Sequence, residues 1–301
     1  MKILNFGSLN IDYTYQVEHI VRPGETISSQ GLEIYPGGKG LNQSVAMARA
    51  GAKEVYHAGA VGEDGRWLVD LCRENGIHTE YILELPVRTG NAVIQVAESG
   101  ENCILLFAGA NRRNTPAYIR KVLSDFGPGD FLVLQNEING LGILMEEASR
   151  RGLFIILNPS PFNGTVTACP LEKTGLFLLN EIEGKELTGK TEPEEILAEI
   201  ERKYPDSQAV LTLGSRGAVY AGKGERFRQE AFPVRAVDTT GAGDTFAGYF
   251  ITALAEGQPV PSALAFAARG AAEAVTRKGA VPSIPYREAL TGENVGNASA
   301  E

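Results

Sequence analysis

The stretch Asp238–Phe246, DTTGAGDTF, joins an apolar run that ends at Val237 to a segment of helical period that starts near Asp244. Residues 241–243 of this stretch carry almost no side chain, so their backbone amides would cluster at a helix N-terminus, where the helix dipole favours an anion. Asp244 is then either a cap of that helix or a base that accepts a proton from a substrate hydroxyl. The residues leave both interpretations open and favour the second.

A second glycine-rich segment, GGKGLNQ at Gly37–Gln43, comes directly before a predicted helix. Its glycines permit backbone to approach a small polar ligand closely, and Asn42 can both donate and accept hydrogen bonds. It is not a Walker A loop, which needs Ser or Thr where this chain has Gly40. No G-x-G-x-x-G follows a predicted strand, so dinucleotide binding has no support. A simple turn explains the segment equally well.

Short apolar runs alternate with amphipathic stretches along most of the chain, which predicts a mostly parallel sheet covered by helices on both faces. The predicted strands are Lys2–Phe6, Val55–Val61, Phe131–Gln135, Leu153–Leu157, Leu176–Leu179 and Ala209–Leu213. The predicted helices are Leu41–Ala50, Arg66–Asn75, Pro116–Phe126, Leu141–Arg151, Glu194–Lys203, Thr245–Glu256 and Ser262–Val275.

Two segments, about 13–36 and 89–107, lack helical period and are rich in β-branched residues. They predict a small antiparallel β lid added to the main sheet. Since the chain has no internal repeat and no clear linker, we expect residues 1–290 to form one domain into which these lid segments are inserted. The polar residues 291–301 are expected to be a disordered tail.

The composition excludes several classes of protein. The 301 residues are 43% hydrophobic, which excludes global disorder, and the net charge of -9 argues against nucleic acid or an anionic membrane as partner. The N-terminus has no signal-peptide pattern, and no apolar run approaches the roughly 18 residues of a membrane span. The cysteines form no C-x-x-C and no zinc spacing, so we expect a cytoplasmic protein with reduced thiols: Cys72, Cys103 and Cys169.

GGKGLNQ and DTTGAGDTF together closely resemble the two signatures of the ribokinase, or PfkB-type, carbohydrate kinase family. The resemblance covers nearly the whole chain, in order: GSLNID at Gly7–Asp12, AGAN at Ala108–Asn111, NPSP at Asn158–Pro161, NEIE at Asn180–Glu183, TLGSRG at Thr212–Gly217 and TRKGAVPS at Thr276–Ser283. It implies a three-layer α/β/α fold and an ATP-dependent sugar kinase, with D-ribose, phosphorylated at its primary hydroxyl, as the first expected substrate. The alternatives are a family kinase for fructose, a deoxy-keto acid sugar or a nucleoside, and a non-catalytic sugar or nucleotide sensor.

The resemblance also assigns roles to individual residues. It makes Asp244 the catalytic base and Gly241, Ala242 and Gly243 the anion hole for the transferred phosphoryl group. The expected sugar-binding residues are Asn10, Asp12, Gly38, Lys39, Gly40, Asn42 and Glu137, together with Asp244. The expected ATP-binding residues are Asn180, Thr212, Gly214, Ser215, Gly217, Gly243 and Ala268.

Two cations are implied by the same resemblance. Asn180 and Glu183 would organise Mg²⁺ through water. K⁺ would be held, largely by backbone carbonyls, at Asp238, Thr240, Ala274, Arg277, Gly279 and Ser283. Taken alone, Thr276–Ser283 is explained as a helix end with basic residues near its C-terminus and Gly279 after it.

The chain departs from the family in two places. Ala268 stands where a His or Asn often lies beside the adenine, which could loosen the nucleotide preference, and Asn91 and Gln95 make one lid strand more polar than usual. The expected partners are a small sugar and ATP. Because a lid sheet has exposed edges and one face that needs cover, we also expect a homodimer formed through the lid.

Overall fold

The computed structural model describes residues 1–291, so the expected tail, apart from Thr291, lies outside the described residues. The strands are β1 Ile3–Phe6, β2 Asn10–Val17, β3 Gly31–Gly37, β4 Val55–Val61, β5 His78–Glu84, β6 Gly90–Ala97, β7 Asn102–Phe107, β8 Phe131–Gln135, β9 Phe154–Asn158, β10 Leu176–Asn180, β11 Gln208–Thr212, β12 Ala218–Gly222 and β13 Glu225–Gln229.

The helices lie mostly where the periodicity predicts them. They are α1 Lys39–Arg49, α2 Arg66–Glu74, α3 Pro116–Leu123, α4 Leu141–Arg150, α5 Gly164–Thr167, α6 Glu181–Thr188, α7 Pro193–Lys203, α8 Ala242–Ala255, α9 Val260–Ala274 and α10 Arg287–Thr291. Within residues 1–291, no helix is both long and apolar enough to cross a membrane.

The predicted mostly parallel sheet is confirmed. Nine strands lie in the order β13-β12-β11-β10-β9-β8-β1-β4-β5, and every neighbouring pair from β11 to β5 is parallel. Only β12 and β13, at one end, run antiparallel. The apolar runs FLVLQ in β8 and LFLL in β10 are buried throughout, as strands with helices on both faces must be.

Two apolar cores flank this sheet. One lies under α1, α2, α8 and α9 and is centred on residues such as Val45 and Phe250. The other lies under α3, α4, α6 and α7 and includes Ile119 and Leu197. Because the helices close both faces, the carboxyl edge of the parallel strands is the place where loops from many elements meet.

The second sheet has four strands in the order β3-β2-β6-β7. The pairs β2–β3 and β6–β7 are antiparallel, as predicted, but the central pair β2–β6 is parallel. This follows from the main sheet, because β2 leaves β1 and β6 leaves β5 at the same carboxyl edge and in the same direction. The small sheet therefore consists of two antiparallel pairs joined side by side.

Helices α1 and α8 pack together in parallel, with both N-termini at the carboxyl edge of the sheet. The two helices approach closely at Gly248, where a Cβ atom would lie 2.4 Å from the Cβ of Ala46 and 2.8 Å from the amide nitrogen of Met47. One turn later, Thr252 Oγ1 lies 3.2 Å from the carbonyl oxygen of Met47. Gly248 thus sets the distance between the two helices that carry the glycine-rich segments.

We predict that Gly248→Ala destabilises the protein. Overpacking costs about 1–3 kcal/mol, of which the better helix propensity of alanine returns up to about 1 kcal/mol. Urea unfolding would measure the difference against Gly164→Ala as a matched control. Gly164 lies in the first turn of α5, and no other atom of the described part of the chain lies within 4 Å of a Cβ built there. Equal stability of the two variants would contradict the close contact.

Candidate active site

Asp244 lies in the first turn of α8 and is only 7% exposed. Its Oδ2 accepts a hydrogen bond from Asn42 Nδ2 and its Oδ1 accepts one from Gln43 Nε2, each at 2.9 Å. The residue at the N-cap is Gly241, and no side chain of the described residues 1–291 caps this helix. The capping interpretation of Asp244 is therefore wrong, and its carboxylate faces the N-terminus of α1.

The start of α8 presents backbone amides that have no acceptor in the described part of the chain. Gly241 adopts a left-handed conformation with φ of 75°, which begins the helix abruptly. The amides of Gly241, Gly243 and Asp244 have no hydrogen-bond acceptor among residues 1–291, whereas Ala242 N–H is directed to Thr239 O at 3.2 Å. The amide of Ala242 is thus part of the turn itself, and the three other amides are available for an anion.

A cavity of about 250 Å³ opens in front of these amides. Asp244, Lys39 and Glu183 bring charge to its wall, and Asn180 and Thr212 line it at the ends of β10 and β11. It adjoins a wider cleft of about 450 Å³, since Thr212, Thr239, Gly243 and Phe246 line both. The wider cleft is mostly apolar and includes Gly214, Ser215, Gly217, Phe232, Ala268, Ala271 and Val275.

The other predicted polar residues gather where β1 leads into the small sheet. Glu137 Oε2 accepts hydrogen bonds from Ser8 Oγ at 2.5 Å and from the Lys39 amide at 3.0 Å. Asn10 Oδ1 accepts from Asn111 Nδ2 at 2.7 Å, which leaves the Asn10 amide group free to donate. Gly38 is the N-cap of α1, and Gly40 in its first turn donates to Ser8 Oγ at 3.2 Å.

Asp12 is a second carboxyl group in this region whose pKa is raised. Burial, together with the nearby Glu137 carboxylate, raises its pKa from 3.8 to about 7. Its carboxylate accepts no hydrogen bond within residues 1–291 and lies against Gly37, where a Cβ would be 2.0 Å from Asp12 Oδ2. An acidic group held in this way is poised to accept hydrogen bonds from a ligand.

Charges of both signs meet between α1 and α8. The carboxylate of Asp244, with those of Glu137 and Glu183, raises the pKa of Lys39, which keeps its ammonium group protonated. Burial raises the pKa of Glu137, although Lys39 and the hydrogen bonds to Ser8 and the Lys39 amide act against this. The Lys39 ammonium group at the cavity wall is therefore stabilised by three acidic side chains, of which Asp244 and Glu183 also line the cavity.

The NEIE motif forms a capping box at the start of α6. Asn180 Oδ1 accepts from the Glu183 amide at 2.9 Å, and Glu183 Oε2 accepts from the Asn180 amide at 3.0 Å. This local function explains the spacing of the two residues. The second carboxylate oxygen of Glu183 has no donor within residues 1–291, and the residue lines the cavity.

The residues expected at the monovalent-cation position lie around the loop before α8. Asp238 Oδ1 accepts from the Thr240 amide at 2.9 Å, and Asp238 Oδ2 accepts from the Gly279 amide at 2.8 Å. Ser283 Oγ donates to Ala280 O at 2.8 Å, and Ala280 contacts Gly241. Ala274 closes α9, and its carbonyl oxygen accepts from the Arg277 amide at 3.1 Å, while the Arg277 guanidinium pairs with Glu273.

Residues that the sequence interpretation did not assign also belong to the site. Ser8 and Asn111 hold Glu137 and Asn10, and Gln43 holds Asp244. Gln43 and Asn111 lie within the quoted segments GGKGLNQ and AGAN. The motifs therefore contained both residues, but the sequence did not show which side chains they contact. Gln95 in β6, by contrast, accepts from the amide of Val21, which lies in the connection between β2 and β3, at 3.0 Å.

Comparison with known proteins agrees with this geometry. The protein-family model described as pfkB family carbohydrate kinase matches residues 1–287. A ribokinase of Haemophilus influenzae is 35% identical over 291 residues, covering 94% of each chain. The ribokinase structure from Thermotoga maritima superposes with a TM-score of 0.85 at 31% identity, covering 96% of this chain and 97% of that one. The Arabidopsis thaliana ribokinase, complexed with ribose and ATP, gives 0.82 at 30% identity over 96% and 97%. The chain belongs to the pfkB family of carbohydrate kinases.

Proposed function

We propose that the protein transfers the γ-phosphoryl group of ATP to the primary hydroxyl of D-ribose, giving D-ribose 5-phosphate and ADP. The main support is the buried Asp244 carboxylate, which lies beside three free amides at the start of α8. Relatives named ribokinase along almost the full chain favour ribose over fructose, a deoxy-keto acid sugar or a nucleoside. An intact base and anion-binding helix start argue against a non-catalytic sensor.

The sugar would lie between the small sheet and α1. Its hydroxyls would donate to Asp12 and Glu137 and accept from Lys39 and the amides of Asn10 and Asn42, which matches the mixed donor and acceptor character of a polyol. Gly38 and Gly40 would bring the backbone of α1 close to the sugar. The high pKa of Asp12 means that hydroxyl donors would relieve an unfavourable burial of charge.

Phosphoryl transfer would take place in front of α8. The sugar oxygen would bond to the γ-phosphorus as the bridging bond to ADP breaks, and Asp244 would receive the hydroxyl proton. The amides of Gly241, Gly243 and Asp244 would stabilise the charge on the transferred group. The nucleotide would occupy the apolar cleft, with its base against Phe232 and Ala268 and its phosphates near Asn180, Thr212, Gly214, Ser215 and Gly217.

Mg²⁺ and K⁺ are proposed as the accompanying cations. Among residues 1–291, no cluster of three acidic, His or Cys side chains could hold a metal directly, which fits a Mg²⁺ that reaches Glu183 and Asn180 through water. Its role would be to neutralise phosphate charge. Two segments, one before α8 and one at and after the end of α9, meet next to the start of α8 and offer oxygen donors suited to K⁺: Asp238, Thr240, Ala274, Arg277, Gly279 and Ser283.

The assembly and location are also proposals. We infer that residues 1–290 act as one domain with the small sheet as a lid, in a cytoplasmic enzyme. Six large apolar side chains of this sheet are about half exposed or more, which favours a homodimer that covers them: Leu32, Ile34, Ile104, Leu105, Leu106 and Phe107. A monomeric mass in sedimentation equilibrium at micromolar concentration would contradict the dimer.

Replacing Asp244 by Asn should abolish most of the activity. Loss of the proton acceptor should lower kcat by about 10²–10⁴-fold, while ATP still binds, because the amides and the apolar cleft remain. Coupled measurement of ADP release, with ATP affinity from calorimetry, would test this. Turnover within tenfold of the wild type would exclude Asp244 as the base.

The raised pKa of Asp12 gives a prediction about pH. Because the folded protein keeps a proton on Asp12 that the unfolded chain loses above about pH 4, stability should fall as pH rises from about 4 to about 7. Asp12→Asn should therefore be more stable than the wild type at pH 8 in urea unfolding. The wild-type KM for ribose should increase below about pH 7, and that of the variant should be higher and less sensitive to pH.

A substrate panel tests the proposed function itself. ATP consumption should be greatest with D-ribose among ribose, 2-deoxyribose, fructose, a deoxy-keto acid sugar and nucleosides, and adding K⁺ to a sodium buffer should increase it. Inert ribose beside a rapidly consumed alternative would overturn the choice of substrate. Equal rates in Na⁺ and K⁺ would remove the monovalent-cation proposal alone.

A further inference from the structure

A chain of buried side-chain amides runs behind Asp244. Gln43, at 0% exposure, donates from Nε2 to Asp244 Oδ1 at 2.9 Å and to Asn158 Oδ1 at 3.1 Å. Its Oε1 accepts from Gln135 Nε2 at 2.7 Å. Because both ends of this amide are engaged, Gln43 cannot rotate away from Asp244 without breaking a buried hydrogen bond.

The chain continues through two strands of the main sheet. Gln135, the last residue of β8, also donates to Asn5 Oδ1 in β1 at 3.0 Å. Asn5 Nδ2 in turn donates to Gly40 O at 2.7 Å and to Ser44 Oγ at 2.8 Å, both on α1. Gln135 and Asn5 are 0% exposed, so the hydrogen bonds link two central strands and α1 to the carboxylate on α8.

The cost of this arrangement suggests a role beyond packing. Burying an amide is unfavourable unless its polar atoms are satisfied, and the buried Gln135 Oε1 has no partner within residues 1–291. Two residues earlier in each strand, on the same face of the sheet, the side chains are apolar: Ile3 in β1 and Val133 in β8. The buried side-chain amides of Gln43, Gln135 and Asn5 therefore occupy positions that apolar side chains could fill without needing hydrogen-bond partners.

We propose that Gln43 is a positioning residue, anchored by Gln135 and Asn5, which holds the Asp244 carboxylate in the orientation required for proton transfer. This proposal rests on the proposed kinase activity. Gln43 is fully buried and would not touch the sugar, whereas Asn42 belongs to the proposed sugar pocket and would exchange its contact with Asp244 for the substrate. A carboxylate that is already oriented by a hydrogen bond from the protein interior needs no reorganisation when the substrate hydroxyl binds.

The hydrogen bonds of the Gln43 side chain go to Asp244, Asn158 and Gln135, so we expect the charged groups that face Asp244 to stay in place when Gln43 is changed. They are Lys39 from α1, Glu137 from the loop after β8 and Glu183 from α6. A hydrogen bond donated to the ionised form favours that form, so loss of the Gln43 amide should move the acid limb of the kcat profile to higher pH. A purely structural role for Gln43 predicts no such movement.

The first test is Gln43→Met, which keeps the length of the side chain and removes its amide. We expect kcat to fall by about 10- to 100-fold, with the KM values for sugar and ATP within about twofold of the wild type, as for a small misplacement of a reacting group. The matched control is Thr252→Ala, which removes a buried hydroxyl between the same helices, away from Asp244, and should lower stability with kcat unchanged. If Gln43→Met matches this control in kcat and in its pH profile, the proposal is wrong.

The second test is Gln135→Met, which leaves Asp244 and Gln43 in place and removes the anchor. We expect a loss of kcat of several-fold, again without a change in KM. In the double variant, kcat should equal that of Gln43→Met alone, because Gln135 acts through Gln43. If Gln43→Met does not fold, Gln135→Met decides the question, since unchanged kcat or a proportionate rise in KM would overturn the proposal.

Failure of the underlying function would be visible separately. If wild-type protein does not phosphorylate ribose, the same ratios of kcat are measured with whichever sugar or nucleoside the panel identifies. If no compound on the panel is phosphorylated by the wild type, the proposed function falls, and the positioning role falls with it. If the wild type is active and the variants match the control, only the positioning role is lost.

Discussion

The parallel packing of α1 against α8 is the constraint on which the site depends. Gly248 lets the two helices approach so closely that their N-termini lie side by side at the carboxyl edge of the main sheet. Asn42 and Gln43 can then reach the carboxylate of Asp244, which lies about two hundred residues away along the chain. Because both helix dipoles point their positive ends at one place, that place suits an anionic ligand.

The electrostatics of the site differ from those of the whole chain. A net charge of -9 would disfavour a triphosphate, yet the cavity wall offers free amides and Lys39. The nearby acidic groups are costly in the ligand-free protein, since the pKa values of Asp12 and Glu137 are raised by burial. Sugar hydroxyls and bound cations would relieve this cost, so the same charges that reduce stability would contribute to recognition.

Several features could be predicted because they depend on local sequence. The run FLVLQ predicts a buried strand, and GAGD predicts a bare helix start with an acidic residue in its first turn. The structure brings Asp12, Glu137, Lys39 and Asp244 to one region, as the family resemblance implied.

Other features were missed because their partners are distant. In the sequence, Gln135 is the polar end of an apolar strand, and no neighbouring residue in the sequence indicates its contact with Gln43. The parallel pairing of β2 with β6 likewise depends on where β1 and β5 end.

The sequence by itself determined the alternation of strands and helices, the two glycine-rich helix starts and the family to which they belong. These follow from local periodicity, turn chemistry and motif order, which need no distant contact. Only the tertiary structure decided that Asp244 does not cap its helix and that the Ala242 amide belongs to the turn. It also decided that Gln43 donates to the Asp244 carboxylate and is itself joined through Gln135 to Asn5. Hydrogen bonds between remote segments depend on the three-dimensional packing of the sheet and helices, and no spacing along the chain encodes them.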